Sequence, residues 1–320
     1  MNDPERHFRQ VVRKMLHGIV VPLLGAGVNL SGRPTAFTYD GDQRTYLPNG
    51  KELARWLAET FEYPELAEID DLLRVSQYLE LMEGGELYQT LHGIFDADYE
   101  PRPVHRFLAE IQPALREHGT GSQVILTTNY DDALERAFVD AGESYDLIIY
   151  VSTNPVDQRG RFMHFPPGDA SPVPIVAPNE YGGLDLSKRA VILKLHGAVK
   201  RNRNFDEDNY VITEDHYIDY LTRSDITSLL PQPIPTKLRN SHFLFLGYSL
   251  GDWNLRVILR RIWGEQGLEF PSWSIQFQPD KFETAFWAER KVAILDYDVD
   301  DYVERLRSVA QARIPPQVAS

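Results

Sequence analysis

The chain has 320 residues, 42% of them hydrophobic and 25% charged, and a formal net charge of −14, an ordinary balance for a soluble globular protein. That charge argues against direct nucleic-acid binding, which needs a basic face, and no run of about 18 apolar residues offers a membrane span. The absence of cysteine excludes disulfides, thiolate zinc sites and cysteine nucleophiles.

In chain order, residues 4–17 predict an amphipathic helix. The stretch MNDPERHFRQVVRKM has no apolar leader core, which points to a cytoplasmic protein. Ile19-Val20-Val21-Pro22-Leu23-Leu24 reads as a buried strand and breaks at Gly25-Ala26-Gly27-Val28-Asn29. Glycines at i and i+2 after a strand allow a tight turn and let a pyrophosphate approach backbone N–H groups. Leu30 stands where the dinucleotide fingerprint has its third glycine, so this turn alone is equally an ordinary strand–helix connection.

From 50 to 118, KELARWLAETF, DDLLRVSQYLELM, ELYQTLHGIF and VHRFLAEIQPAL carry apolar residues at three- and four-residue spacing. They predict a helical module, on which Trp56, Tyr63 and Tyr78 are either interface anchors or, the commoner fate, core. Val124-Ile125-Leu126 then runs into Thr127-Thr128-Asn129-Tyr130-Asp131, with the helical ALERAF (133–138) behind it. Such a tip presents an amide, a carboxylate and hydroxyls where open α/β sheets bind ligands. Read alone it is more often a helix cap, with Asp131 or Thr128 bonding the free N–H groups.

The stretch 153–188, rich in proline and glycine, predicts a long loop that shapes or covers a site. Ala190–Leu195 is another apolar strand, and it ends in His196-Gly197. A histidine at a strand tip suits a proton acceptor near neutral pH, although any single histidine is more often a satisfied, partly buried one. Lys200, Arg201 and Arg203, and further on Arg256, Arg260 and Arg261, read as solvated faces. Residues 206–240 predict a second helical excursion with an elbow at Pro231, Pro233 and Pro235. A third apolar strand, His242–Leu246, breaks at Gly247-Tyr248-Ser249-Leu250-Gly251-Asp252, where Asp252 is a polar ligand group or the cap of a helix over 253–263. Strands at 273–277 and 292–297 and helices near 285–290 and 300–312 complete the pattern. His164, His216 and His242 are scattered and read as surface or structural residues.

Strands alternating with helices predict an α/β fold, a doubly wound parallel sheet of Rossmann-like type with an inserted helical module. The expected division is 1–49 with 119–320 for the nucleotide-binding unit and 50–118 for the insertion.

Four stretches resemble, in the same order, motifs of the sirtuin family: Gly25-Ala26-Gly27, Thr127-Thr128-Asn129-Tyr130-Asp131, Leu195-His196-Gly197 and Gly247-Tyr248-Ser249-Leu250. The likeness runs from about residue 18 to about residue 300. The tyrosines and Asp252 look more like the divergent bacterial sirtuin-like proteins of anti-phage defence than like deacylases, whose paired Cys-x-x-Cys zinc module is impossible here. The resemblance implies a sirtuin-type strand order and NAD as the substrate, with no metal. It implies Asn129 and His196 as catalytic residues. Asp131 would hold the nicotinamide carboxamide, and Gly25, Ala26 and Gly27 the pyrophosphate. Ser249, Asp252 and Asn254 would lie at the adenosine side, and Asn29, Thr128 and Gly247 complete the expected NAD-binding set.

The implied activity is NAD glycohydrolysis, through an oxocarbenium-like state that a cationic nicotinamide leaves without acid assistance. The alternative is a non-catalytic NAD or ADP-ribose sensor or scaffold; deacylation and ADP-ribosyl transfer rank below both. Relatives of this kind imply a homo-oligomer or a partner protein, such as an Argonaute-like protein or a ring-forming ATPase.

Overall fold

The computed structural model describes residues 4–313 apart from 35, 42–43, 65–67, 169–170, 202–206, 223–225, 252 and 265–266; of 4, 226 and 253–255 only the backbone is described. Helices α1 (Pro4–Leu16), α2 (Gly50–Thr60), α3 (Leu72–Phe95), α4 (Pro103–Glu110), α5 (Gln112–Glu117) and α6 (Ala133–Asp140) come first. After them come α7 (Glu214–Thr222), α8 (Pro233–Arg239), α9 (Trp253–Trp263), α10 (Lys281–Ala288) and α11 (Val299–Gln311). The strands are β1 (Val20–Leu24), β2 (Val124–Thr127), β3 (Tyr145–Tyr150), β4 (Phe162–Phe165), β5 (Val173–Pro174) and β6 (Ala190–Lys194). A small hairpin, β7 (Gly197–Ala198) with β8 (Asn209–Tyr210), precedes β9 (His242–Leu246), β10 (Ser272–Gln276) and β11 (Val292–Asp296).

Among the described residues the main sheet has nine strands, in the order β11-β10-β9-β1-β2-β6-β3-β4-β5. Pairing is parallel from β11 to β3 and antiparallel for β3–β4 and β4–β5. Pro22 has no N–H to give, and β1 pairs with β2 through Leu23 and Leu24 only. The period-two alternation of each strand feeds two cores. Val20 and Leu24 face one side with Phe8, Phe107, Phe138, Tyr302 and Leu306 of α1, α4, α6 and α11. Val21 and Leu23 face the other with Ile234, Ile258, Ile262 and Trp287 of α8, α9 and α10. Helices on both faces of a mostly parallel sheet make this the doubly wound architecture expected.

The helices of 50–118 divide between two cores. α4 and α5 pack on the sheet through Val104, Leu108 and Leu115. α2 and α3 form a third cluster from Leu53, Leu57, Leu79, Leu87 and Leu91, closed by Tyr99, Val199, Tyr210 and Ile212. Trp56, Tyr63 and Tyr78 are partly buried against that cluster. The two helices anticipated over 70–95 stand as the two halves of α3, divided by a kink at Glu83 (φ −139°, ψ 41°). Other expectations change. The long loop over 153–188 contributes β4 and β5, which extend the sheet at its far edge. The proline elbow starts α8: Pro233 and Pro235 sit in its first turn, where a missing N–H costs nothing.

Candidate functional site

All four motifs stand at the C-terminal ends of consecutive strands, β9, β1, β2 and β6. The chain leaves β1 toward β2 and later crosses back to β9, so the glycine turns flank the point where the winding reverses, the usual ligand crevice of such sheets. Close approach is what the glycines permit. A Cβ on Gly25 or on Gly27 would lie 2.7 Å from the Gly247 carbonyl oxygen. Gly247 has φ +69°, and a Cβ there would sit 2.3 Å from the Val28 nitrogen. The N–H of Gly25 donates to Leu246 O (3.0 Å) and that of Gly27 to Gly247 O (2.9 Å), so those two groups serve the β1–β9 junction. Tyr248 crosses the tip of β1: its ring lies against Gly25, and its hydroxyl shares a hydrogen bond with Thr128 Oγ1 on β2.

On β2, Thr127 Oγ1 donates to Leu24 O (3.1 Å) and accepts the Asn129 N–H (3.0 Å). Asn129 Nδ2 donates to Gly25 O (3.2 Å). The amide is thereby oriented, with its carbonyl oxygen turned away from the glycine turn. Asp131 is buried, and both of its oxygens have protein partners. Oδ2 accepts from Asn29 Nδ2 (2.9 Å) and Oδ1 from the Ala133 N–H at the start of α6 (3.0 Å). Asn29 is buried too, so this pair braces the glycine turn against the β2 tip.

His196 lies beside that tip, since β6 pairs with β2 and Leu195 N–H donates to Thr127 O (2.9 Å). The residue is only 7% exposed. Tyr217 and Tyr220 of α7 present edges to it at 5.3 and 5.9 Å. Nδ1 is 3.3 Å from the Tyr217 hydroxyl, and Nε2 is buried without a hydrogen-bond partner among the described residues. Burial pushes its pKa down to about 3, so the ring is neutral at physiological pH. A neutral imidazole with one nitrogen unengaged is equipped to take a proton from an incoming hydroxyl or water. Gly197, φ +87°, then turns the chain so tightly that a Cβ would sit 2.1 Å from Asn209 O.

Two clefts flank the row. One, of about 660 Å³, runs from Gly27 and Gly247 across the ends of β10 and β11. Ser249, Ser31, Arg33 and the carboxylates of Asp280, Glu283, Asp298 and Asp300 line it. The other, of about 570 Å³, lies on the His196 side, with Tyr130 and Tyr217 in its wall beneath α2 and α3. Asp252 lies outside the described residues, and Asn254 is described by its backbone in α9 alone.

Sequence reasoning missed the groups that hold the row in place. Lys194 ends β6 with 1% of its side chain exposed, 2.6 Å from Glu135 of α6. Its ammonium also donates to Asp131 O, so it ties the β2 turn down. Burial pushes the Glu135 carboxyl up, and the Lys194 charge opposes it. A lysine inside an apolar strand was the available signal, because a buried charge demands a partner. Tyr217, twenty-one positions beyond His196, gave none.

The histidines read as surface or structural are buried. His164 Nε2 lies 3.0 Å from Asp146 and its Nδ1 2.7 Å from Tyr181 OH, while His242 Nε2 lies 2.6 Å from Lys14 Nζ. His216 lies 3.7 Å from Glu80. Arg201 is no solvated charge either: it pairs with Asp98 (2.6 Å) and Asp132 (3.3 Å), while Arg203 lies outside the described residues. Among the described residues no group of three or more His, Asp or Glu could hold a metal ion, and no helix is long and apolar enough to cross a membrane.

Comparison with known proteins gives a match of residues 123–295 to the family model described as the SIR2-like domain. Defense-associated sirtuin 2 of Bacillus subtilis is 23% identical over 262 residues, covering 78% of this chain and 22% of that protein. NAD(+) hydrolase ThsA of Cytobacillus dafuensis is 24% identical over 215 residues, 67% of this chain and 34% of that one. The ThsA of Acinetobacter baumannii (strain 532279) is 27% identical over 217 residues, 67% and 36%. The chain therefore spans about a third or less of the length of these relatives.

Proposed function

The chain belongs to the SIR2-like family, and from that premise we propose that it is an NAD+ glycohydrolase of anti-phage defence. The reaction breaks the nicotinamide–ribose bond with water and yields nicotinamide, ADP-ribose and a proton. The observation that carries the reading is the side-by-side placement of the Gly25, Asn129, His196 and Gly247 motifs on four consecutive strand tips. The names of the relatives, a defence-associated sirtuin and two NAD(+) hydrolases, agree with it.

In this reading the ADP half occupies the cleft along Gly27, Gly247 and Ser249, and the nicotinamide ribose lies over Asn129. Asn129, oriented through Gly25 O, directs its carbonyl oxygen at a ribose hydroxyl or at the water. Nε2 of His196 accepts the proton that this hydroxyl or water gives up. The cationic nicotinamide ring departs with the bonding pair and needs no acid. Asp131 acts through Asn29, as a brace for the site.

The decisive experiment incubates the chain with NAD, alone and with candidate partner proteins, and follows free nicotinamide and ADP-ribose. Tight NAD binding with no nicotinamide release under any of these conditions would replace this reading with the sensor or scaffold one. Control of the activity by assembly, as a homo-oligomer or with a partner protein, belongs to the proposal, since an always-open NAD hydrolase would exhaust its own cell.

A further inference from the structure

Glu283, in the wall of the glycine-turn cleft, pairs with Arg256 (3.4 Å), and Arg256 lines a second cleft of about 610 Å³. Among the described residues, four cations line that second cleft, Arg256, Arg260, Arg290 and Lys291, against one carboxylate, Glu289. The chain as a whole carries a net charge of −14, so this cleft runs against the overall balance. Helix ends account for three of them: Arg260 is in the last turn of α9, and Arg290 and Lys291 follow α10, where cations complement the negative end of a helix.

Arg256 has no such excuse. It stands in the first turn of α9, beside the positive helix end, where a cation is disfavoured. Its surroundings compensate: Nε donates to Leu250 O (2.9 Å), and the guanidinium lies 4.6 Å from the Phe286 ring centre. Arg290 lies 3.6 Å from the centre of the same ring and donates to Phe286 O (2.9 Å). Two guanidinium groups are thus fixed at one aromatic ring. Each carries five N–H donors, of which the partners named here use one or two. Groups held in this way lose little side-chain freedom on taking up an anion. The partly buried indole of Trp263 supplies flat apolar wall beside them, while Trp287, also at the cleft, is only 2% exposed.

We propose that this cleft binds a nucleotide-sized organic phosphate, with its phosphates on the four cations and its base against the Trp263 indole. Arg256 joins the new site to the first one, because it holds both the carbonyl of Leu250, at the end of the Gly247-Tyr248-Ser249-Leu250 turn, and the Glu283 carboxylate. Occupancy is therefore expected to alter NAD turnover. That coupling rests on the proposed function; the binding itself does not.

The test titrates the full chain with ATP and with inorganic tripolyphosphate, without divalent cations, and follows tryptophan emission. The comparison is a double variant, Arg260→Gln with Arg290→Gln; both residues are exposed, so the fold is expected to persist and is checked by circular dichroism. Wild type is expected to show a saturable response, at lower concentration for ATP than for tripolyphosphate, with half-saturation raised about tenfold or more in the variant. A response that does not saturate, or one unchanged in the variant, overturns the site. ATP binding no tighter than tripolyphosphate overturns the nucleotide assignment. A chain that binds ATP as expected but cleaves no NAD leaves this site standing and counts against the proposed function instead.

Discussion

His196 has two nitrogens in unlike surroundings, one facing the Tyr217 hydroxyl and the other buried and unengaged, and its chemistry follows from that difference. His196→Ala is expected to lower NAD turnover by at least a hundredfold, the ordinary weight of a general base, with NAD affinity nearly unchanged. Asn129→Ala is expected to do the same by misplacing the ribose. Near wild-type turnover in either variant, under conditions where the parent is active, would remove that residue from the mechanism. The same burial makes a second, thermodynamic prediction. The folded pKa of His196 is about 3 and that of His105, whose Nδ1 accepts the Arg102 N–H at 3.0 Å, is about 4. In the unfolded chain both lie near about 6.5. As pH falls below that value the unfolded state takes up protons first, so stability is full above it and drains away toward the folded values. Each histidine contributes a loss approaching about 1.4 kcal/mol per pH unit. Urea unfolding of wild type and His196→Gln between pH 7 and 5 checks this, and equal slopes would contradict it.

At the scale of elements, the pair Lys194–Glu135 fastens β6 and α6 to the turn that carries Asn129. Lys194→Met leaves a carboxylate buried without its counter-charge and is expected to cost about 3–5 kcal/mol in urea unfolding. Adding Glu135→Leu should recover most of that loss; a double variant as unstable as the single one would mean that packing, not charge, is what Lys194 supplies. Elements were legible where an apolar run met a polar tip. β1, β2, β6 and β9 all announce themselves this way, and with them Gly25, Asn129, His196 and Gly247. β3 was not, because Asp146 interrupts its apolar face; the structure answers that charge with Arg189 and His164. β4, β5, β7 and β8 span two to four residues each, too short for a period to show. The division between DDLLRVSQYLELM and ELYQTLHGIF was legible too, and it stands as the kink at Glu83 inside α3. The residues that steady the site, Tyr217 and Glu135, come from other elements, and nothing local in sequence links them to it.

For the molecule as a whole, the proposed mechanism draws on an amide, an imidazole and a leaving group that is already cationic. NAD cleavage is therefore expected to withstand exhaustive EDTA treatment, and activity lost to the chelator but restored by zinc would refute the mechanism. Control is expected at the level of assembly. Light scattering with and without the activating partner should show nicotinamide release rising together with particle mass, and a monomer cleaving NAD at full rate unaided would contradict that expectation.

The pairing of α1 with α11 has a consequence for how such a chain can be wired. His7 Nε2 lies 2.9 Å from Tyr302 OH, Glu5 pairs with Arg305, and Arg313 borders the same groove as Arg6, Arg9 and Arg13. The two helices lie side by side on one face of the sheet and run the same way, because α1 leads into β1 and α11 leaves β11, strands that point in one direction. The described chain therefore starts at the edge of the sheet where the strands end and finishes at the opposite edge, about 20 Å away along the length of α11. A polypeptide fused before α1 would start on the side of the strand tips that carry the four motifs, and one fused after α11 on the far side, so the two fusions would meet different surfaces of the sheet.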